Sequence, residues 1–166
     1  SAIVRDARAR GFTEPDPRTD LGGVDMARKA LILARMLGAR LELADVQVEA
    51  LFPADMAAMD VEAFMAQAAT LDDAFARAVA AARAGGGVWR YAARVGPGEA
   101  SVGPVVVPAD SPLGMLRGTD NHVAFHTRWY ASSPLVLQGR GAGVDATASG
   151  VLSDVVDLAA SAAIEG

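Results

Sequence analysis

The segment between Gly11 and Lys29 contains more polar residues than a purely structural loop and helix would need. Asp25 and Lys29 are four residues apart, and on a helix that spacing places a carboxylate beside an ammonium group. Such a carboxylate can orient the lysine or share in relaying a proton. The same spacing is also typical of an exposed ion pair that contributes only about 0.3–0.5 kcal/mol to the stability of a helix. The polar residues are Thr13, Glu14, Asp16, Arg18, Asp20, Asp25 and Lys29.

Two further carboxylates of this segment, Glu14 and Asp20, also have ordinary structural interpretations. Asp20 stands where a helix is expected to begin, and aspartate is a preferred N-cap residue. Glu14 precedes Pro15 in a run that should be an extended loop, where a solvated side chain is the usual outcome. Residue type and spacing alone therefore assign a function to neither carboxylate.

The order of residues between Ala7 and Lys29 resembles the signature of homoserine dehydrogenases, and the chain satisfies that signature without a gap. The resemblance continues through nearly the whole chain, including residues 120–121 and 134–137. Residues 60–87 are similar to the form that is fused to aspartokinase, which implies a kinase upstream. The signature positions are Ala7, Gly11, Phe12, Thr13, Asp16, Pro17, Asp20, Leu21, Gly23, Asp25 and Lys29.

This resemblance implies the interconversion of L-homoserine and L-aspartate-4-semialdehyde with NADP or NAD, in a cytoplasmic enzyme of threonine, methionine and isoleucine biosynthesis. Hydride transfer to the aldehyde carbon leaves an alkoxide that needs a proton, and the family pattern gives that proton transfer to Lys29, supported by Asp25. By the same resemblance, Glu14 holds the substrate's ammonium group. Asp20 and Thr13 belong to the substrate pocket by the same resemblance.

The glycines Gly139, Gly141 and Gly143 lie between an expected strand and an expected helix, as in phosphate-binding loops. Their spacing is G-x-G-x-G rather than G-x-G-x-x-G, and no second strand or ribose-binding acid follows, so the motif alone is weak. The resemblance makes this turn the return into a cofactor domain, with Gly141 and Gly143 near the nicotinamide.

The composition excludes several other classes of function. A net charge of −5 with scattered basic residues gives no reason to expect a nucleic-acid partner. No apolar run approaches the ~20 residues of a membrane span. Without cysteine, the chain has no disulfide, thiolate zinc site or cysteine nucleophile. On a strand, His122 and His126 would lie about 13 Å apart, too far to share a metal, so we expect no metal site.

The elements that must position these residues predict an α+β fold, with helices on one face of a largely antiparallel sheet. A C-terminal strand-turn-helix would return to a Rossmann-type cofactor domain that is mostly absent here. Helices are predicted over residues 1–10, 20–38, 60–68, 70–85 and 144–163. Strands are predicted over residues 41–51, 88–95, 101–107, 122–130 and 135–138.

Residues 1–134 are expected to form the substrate-binding, catalytic and dimerisation region, and residues 135–166 to complete the cofactor-binding domain. The chain begins without a signal peptide or an initiator methionine, so we expect a start in mid-protein. Because it lacks a complete nucleotide-binding βαβ unit, it should be inactive alone. The resemblance also implies a homodimer. The alternative is a non-catalytic oligomerisation or amino-acid-binding module, because such a sheet can pair across a dimer interface.

Overall fold

The computed structural model describes residues 1–118, 120–141 and 144–164, and they divide into two compact units, Ser1–Ala109 and Asp110–Gly166. The first unit contains helices α1 (Ala2–Ala9), α2 (Pro17–Leu21), α3 (Val24–Met36), α4 (Val61–Gln67) and α5 (Asp72–Ala84), and strands β1 (Gln47–Val48), β2 (Gly87–Gly96) and β3 (Glu99–Pro108). Short 3-10 turns occupy Leu43–Asp45, Ala54–Met56 and Ala68–Leu71. The second unit contains β4 (Asp120–Phe125), β5 (Leu135–Arg140) and α6 (Val144–Ile164).

The sheet of the first unit has β3 at its centre, between β1 and β2. Strands β2 and β3 form an antiparallel hairpin in which Gly96 lies opposite Glu99. Strand β1 runs parallel to β3, with Gln47 opposite Ser101. The mixture of helices and small sheets agrees with the predicted α+β class. Strand pairing is largely antiparallel, as expected, and the short parallel pair of β1 with β3 is the exception.

Helix α3 covers one face of this sheet. Its buried residues repeat at helical spacing, and most are alanines, whose small side chains let the helix backbone approach the strands closely. Helix α5 packs on β2, where the rings of Phe75 and Trp89 meet edge to face with centroids 5.5 Å apart. The core around α3 consists of Ala27, Ala30, Leu31, Ala34, Val46, Ala100 and Val102.

The strand predicted over residues 41–51 is wrong for most of its length. Leu43–Asp45 forms a 3-10 turn instead, and only Gln47–Val48 pairs with the sheet. The Asp45 side chain accepts a hydrogen bond of 2.8 Å from the backbone N–H of Glu42, and the Glu42 side chain caps the turn reciprocally. These local bonds offer the backbone an alternative to the strand ladder, which periodicity alone does not reveal.

The helix predicted over residues 20–38 is divided into α2 and α3 at Gly22 and Gly23. Asp20 lies within α2, so the prediction that it is an N-cap is wrong. The N-cap of α2 is Asp16, whose side chain accepts from the backbone N–H of Arg18. An aspartate four residues upstream was therefore the better candidate, because it directly precedes a proline at the first helical position.

Two further helix starts had different outcomes. The helix predicted over residues 60–68 is α4, and Asp60 is its N-cap, because the Asp60 side chain accepts a hydrogen bond of 2.8 Å from the backbone N–H of Ala63. The helix predicted over residues 70–85 begins only at Asp72, and the Thr70 hydroxyl donates a hydrogen bond to the carbonyl of Gln67 instead.

The second unit is a two-stranded antiparallel sheet followed by one long helix. Asp120 lies opposite Arg140 and Phe125 opposite Leu135, so β4 ends five residues earlier than the prediction for residues 122–130. Helix α6 agrees closely with the prediction for residues 144–163. Within the described ranges 1–118, 120–141 and 144–164, no helix is both long and apolar enough to cross a membrane.

Candidate active site

The loop that leads into α2 is fixed by Asp16 and Arg18. The Arg18 guanidinium donates to both carboxylate oxygens of Asp16, from Nε at 2.9 and 3.0 Å and from Nη2 at 2.6 Å. The same carboxylate accepts from the backbone N–H of Arg18 at 3.0 Å. These hydrogen bonds, led by those from the Arg18 side chain, hold the pKa of Asp16 below its ordinary value. Pro17 is fully buried and begins the helix.

Asp20 ties the same loop to α2 from a second point. Its Oδ2 atom accepts a hydrogen bond of 2.9 Å from the backbone N–H of Glu14. The backbone of Glu14 is therefore held, while Glu14 itself is exposed to solvent. The structure thus brings Glu14 and Asp20 together through the backbone N–H of Glu14.

Helix α3 begins at a glycine turn that is packed against Tyr91. Gly23 has a φ of 74°, a conformation that glycine adopts without strain. A side chain at Gly23 would collide with the hydroxyl of Tyr91, which donates a hydrogen bond of 2.9 Å to the carbonyl of Glu49. Burial, followed by the nearby charge of Glu49, raises the pKa of Tyr91. The start of α3 is therefore fixed against β2.

Asp25 and Lys29 project from the exposed side of α3. Their Oδ2 and Nζ atoms are 2.8 Å apart, so the predicted pairing at helical spacing is present. The side chains are 59% and 57% exposed, while Ala27 and Ala30 on the opposite side of the helix are buried. The ammonium group is consequently held by one carboxylate and is open to an incoming molecule.

The hydroxyl of Thr13 is buried and has no hydrogen-bond partner within the part of the chain that the structure describes. Buried polar atoms nearly always find a partner, so this oxygen has hydrogen-bonding capacity to spare. Thr13 directly precedes Glu14, whose backbone is held by Asp20. A free hydroxyl and an exposed carboxylate therefore stand side by side in the chain.

The predicted cofactor-binding glycines belong to the second unit. Gly141 follows β5, and a side chain at this position would collide with the carboxamide of Asn121 on β4. Strand β5 and helix α6 follow one another in the order that the sequence predicts. Gly143 lies outside the described residues.

The first unit also has two concave surfaces, of about 300 and 350 Å³. Residues of all three strands line the first, and residues 49–53 line the second together with residues of α5, β2 and β3. Neither is lined by a residue of the loop, α2 or α3. Among residues 1–118, 120–141 and 144–164, no group of three or more His, Asp or Glu side chains is placed to hold a metal ion.

Three residues near these groups received no role from the sequence. Arg18 stood among the polar residues of the loop, and its spacing of two from Asp16 is a weak signal for their interaction. Asn121 matched the family without a stated role. Tyr91 is far from Gly23 in the chain, and no local pattern connects them.

Comparisons with known proteins identify relatives of this chain. A sequence model of homoserine dehydrogenase matches residues 1–156. A bifunctional aspartokinase/homoserine dehydrogenase of Haemophilus influenzae is 44% identical over 157 residues, which are 94% of this chain and 19% of that protein. A homoserine dehydrogenase of Emericella nidulans is 40% identical over 166 residues, covering 95% of this chain and 45% of that protein.

Solved structures have the same fold. A Candida auris protein of unknown function superposes with a TM-score of 0.88 and 36% identity, over 95% of this chain and 45% of that one. A proposed homoserine dehydrogenase of Archaeoglobus fulgidus gives a TM-score of 0.71 and 29% identity, over 95% and 42% of the two chains. The chain thus spans less than half the length of these four relatives. Because the family's sequence model matches nearly all of it, the chain belongs to the homoserine dehydrogenase family.

Proposed function

We propose that this chain is the substrate-binding and proton-transfer region of an enzyme that interconverts L-homoserine and L-aspartate-4-semialdehyde with NADP or NAD. The observation that carries the proposal is the Asp25–Lys29 pair, whose charged atoms are 2.8 Å apart on α3. This pair follows directly after a turn and a loop that are themselves fixed by hydrogen bonds and close packing.

Lys29 is the proton donor and acceptor of the reaction. The nicotinamide cofactor supplies or takes up the hydride. When the aldehyde is reduced, the substrate oxygen gains negative charge, and the Lys29 ammonium gives it a proton. When homoserine is oxidised, the neutral amine removes the proton from the hydroxyl. Asp25 accepts a hydrogen bond from Nζ and so orients the lysine.

Glu14, Asp20 and Thr13 bind the amino acid. The exposed carboxylate of Glu14 accepts hydrogen bonds from the substrate's ammonium group, an interaction between charged groups. One oxygen of Asp20 holds the backbone of Glu14, which leaves its other oxygen to face the substrate. The unpaired hydroxyl of Thr13 gains a polar partner when the substrate is bound.

The second region, residues 135–166, completes a Rossmann-type cofactor domain whose larger part lies outside this chain, with Gly141 and Gly143 close to the nicotinamide. The order of β5 and α6 supports this assignment. So does the apolar surface of α6, because five large residues of this helix are at least 55% exposed and would be covered by a sheet. They are Val151, Leu152, Val155, Val156 and Leu158.

The protein acts as a homodimer in the cytoplasm. One face of the first unit's sheet packs on α3, through the β2 residues Tyr91, Ala93 and Val95. Side chains alternate along strands, so the neighbouring residues point to the opposite face, where each is at least partly exposed. A second copy would cover this face, whose residues include Val88, Ala92, Val105 and Val107. By analogy with the Haemophilus influenzae relative, an aspartokinase is fused upstream.

The test is homoserine-dependent reduction of NADP or NAD by the full-length protein, compared with Lys29→Ala and with the isolated 166 residues. We expect activity from the full-length protein and none from the isolated region, which lacks most of a nucleotide site. In Lys29→Ala, kcat should fall by about 10²- to 10⁴-fold, while homoserine still binds. Arg28→Ala, an exposed cation on the same helix, is the matched control and should stay near wild type.

Two outcomes contradict the proposal in different ways. If the full-length protein binds homoserine but reduces neither cofactor, the alternative of a non-catalytic binding module is correct. Near-normal kcat in Lys29→Ala would remove Lys29 from the chemistry.

A further inference from the structure

We propose that Arg18 is a positioning residue for substrate binding, because it anchors the Glu14 loop to the segment before α4. This inference rests on the function proposed above. Its first half is the contact with Asp16, to which the guanidinium donates from Nε and Nη2. Because Asp16 also caps α2, one carboxylate fixes both the loop and the helix start.

Arg18 also forms hydrogen bonds with residues that are about forty positions away in the chain. Nη1 of Arg18 donates a hydrogen bond of 3.1 Å to the carbonyl of Ala57 and another to the carbonyl of Met59. The guanidinium thus joins one carboxylate to two backbone carbonyls. The planar fork of an arginine can reach all three acceptors at once, whereas the ammonium of a lysine cannot match that geometry.

Buried apolar residues flank the segment that contains the Ala57 and Met59 carbonyls. Met56 is 1% exposed and Phe64 is fully buried. The ring of Phe64 meets that of Phe52 edge to face, with centroids 5.1 Å apart. The two carbonyls that accept hydrogen bonds from Arg18 therefore lie in a segment between buried apolar residues, and Arg18 connects the Glu14 loop to this packed segment.

Arg18 differs from an ordinary exposed ion pair. Its side chain is only 21% exposed, and all of its donor nitrogens have protein partners. Exposed pairs contribute little because water competes for their groups. The contact with Asp20 restrains Glu14 from one side, and Arg18 restrains the loop from the other. Loss of Arg18 should free the Glu14 carboxylate to move, while the core under α3 stays intact.

The proposal is tested in the full-length protein with Arg18→Met and Arg18→Lys. In Arg18→Met, we expect the KM for homoserine to rise about tenfold because Glu14 is no longer held in place. The kcat and the KM for the nicotinamide cofactor should stay within about twofold, because the lysine and the cofactor domain are untouched. Arg18→Lys should recover only part of the loss.

Arg35→Met is the matched control. Arg35 also hydrogen-bonds a backbone carbonyl, that of Leu41, and pairs with a carboxylate, that of Glu42 at 2.8 Å. It belongs to the last turn of α3, and its hydrogen bond and ion pair are made to residues 41 and 42 rather than to the Glu14 loop. Its replacement should leave the KM for homoserine within about twofold of the wild-type value.

Amide hydrogen exchange over residues 11–22 separates this proposal from the proposed function, because it needs no activity. Arg18→Met should speed exchange at Glu14 relative to Arg35→Met. Unchanged exchange, or faster exchange with an unchanged KM, overturns the role of Arg18. A wild-type protein that does not oxidise homoserine overturns the proposed function, and the substrate role of Arg18 with it.

Discussion

The hydroxyl of Tyr91 lies against the backbone of Gly23, at the residue that begins the helix carrying Asp25 and Lys29. Tyr91 is itself held by its hydrogen bond to the carbonyl of Glu49. A residue of the sheet therefore sets where α3 starts, and a residue with a side chain cannot occupy that start. The position of the proposed catalytic pair depends on this close approach.

Gly23→Ala should consequently reduce both stability and activity. The new side chain would adopt an unfavourable positive φ and would also displace Tyr91, so we expect a loss of about 2–4 kcal/mol in the free energy of unfolding. Gly38→Ala is the control, because Gly38 has a φ of 87° but open space around it. Urea denaturation of both variants isolates the cost of the collision, and equal losses would show that Tyr91 is unimportant.

Local sequence patterns predict the helix and the two long strands of the first unit. The helical repeat of Ala27, Leu31 and Ala34 predicts a buried face, and all three residues lie in the core. The predicted strands 88–95 and 101–107 are β2 and β3 with one or two more residues at each end. Periodicity and the bounding glycines are sufficient here, because neighbours in the chain determine these elements.

Prediction from the sequence fails where contacts between residues far apart in the chain, or local hydrogen bonds, determine the structure. Nothing in the loop indicates that Arg18 reaches the carbonyls of Ala57 and Met59. The same holds for Tyr91 beside Gly23. The spacing of Asp25 and Lys29 does predict their contact, but their functional meaning comes from the family resemblance, since an ordinary exposed pair has the same geometry.

Replacement of Glu14 tests whether its carboxylate binds the ammonium group of the substrate. Glu14→Gln keeps the size of the side chain and its backbone hydrogen bond to Asp20, but removes the charge that attracts an ammonium group. We expect the KM for homoserine to rise about 10- to 100-fold with a smaller change in kcat, because a hydrogen bond between charged groups is lost. Steady-state kinetics measures both constants.

The control for this substitution is Glu62→Gln, an exposed acid in the first turn of α4. It should leave both constants near wild type. An equal rise in KM for the two variants would indicate a general electrostatic effect rather than a binding contact.

The stabilisation by Asp16 should depend on pH. Arg18 lowers the pKa of this carboxyl in the folded protein, so the ionised group stabilises the fold above the ordinary aspartate pKa of about 3.9. That stability is lost as the pH falls through the lower folded-state value. Asp16→Asn should therefore unfold at lower urea concentration than wild type near neutral pH, and the difference should shrink progressively in acid.

Asp6→Asn provides the comparison for this pH experiment. Asp6 pairs with Arg10 at 3.4 Å on α1, where both side chains are more than 60% exposed, so its loss should have little effect at either pH. A difference for Asp16→Asn that persists unchanged below the ordinary aspartate pKa would show that the charge of the carboxylate is not the source of the stabilisation.

The glycine turn offers a prediction for the cofactor side. A methyl group at Gly141 would collide with the carboxamide of Asn121, so Gly141→Ala must push residue 141 and β4 apart. If the turn contacts the nicotinamide as proposed, the KM for the cofactor should rise about tenfold or more, and the KM for homoserine should change less. Gly139→Ala is the control, because a side chain there meets open space.

Asn121→Ala combined with Gly141→Ala should recover part of the cofactor affinity, since the collision is relieved. A double variant no better than Gly141→Ala would mean that the glycine itself, rather than its space beside Asn121, is what the cofactor requires.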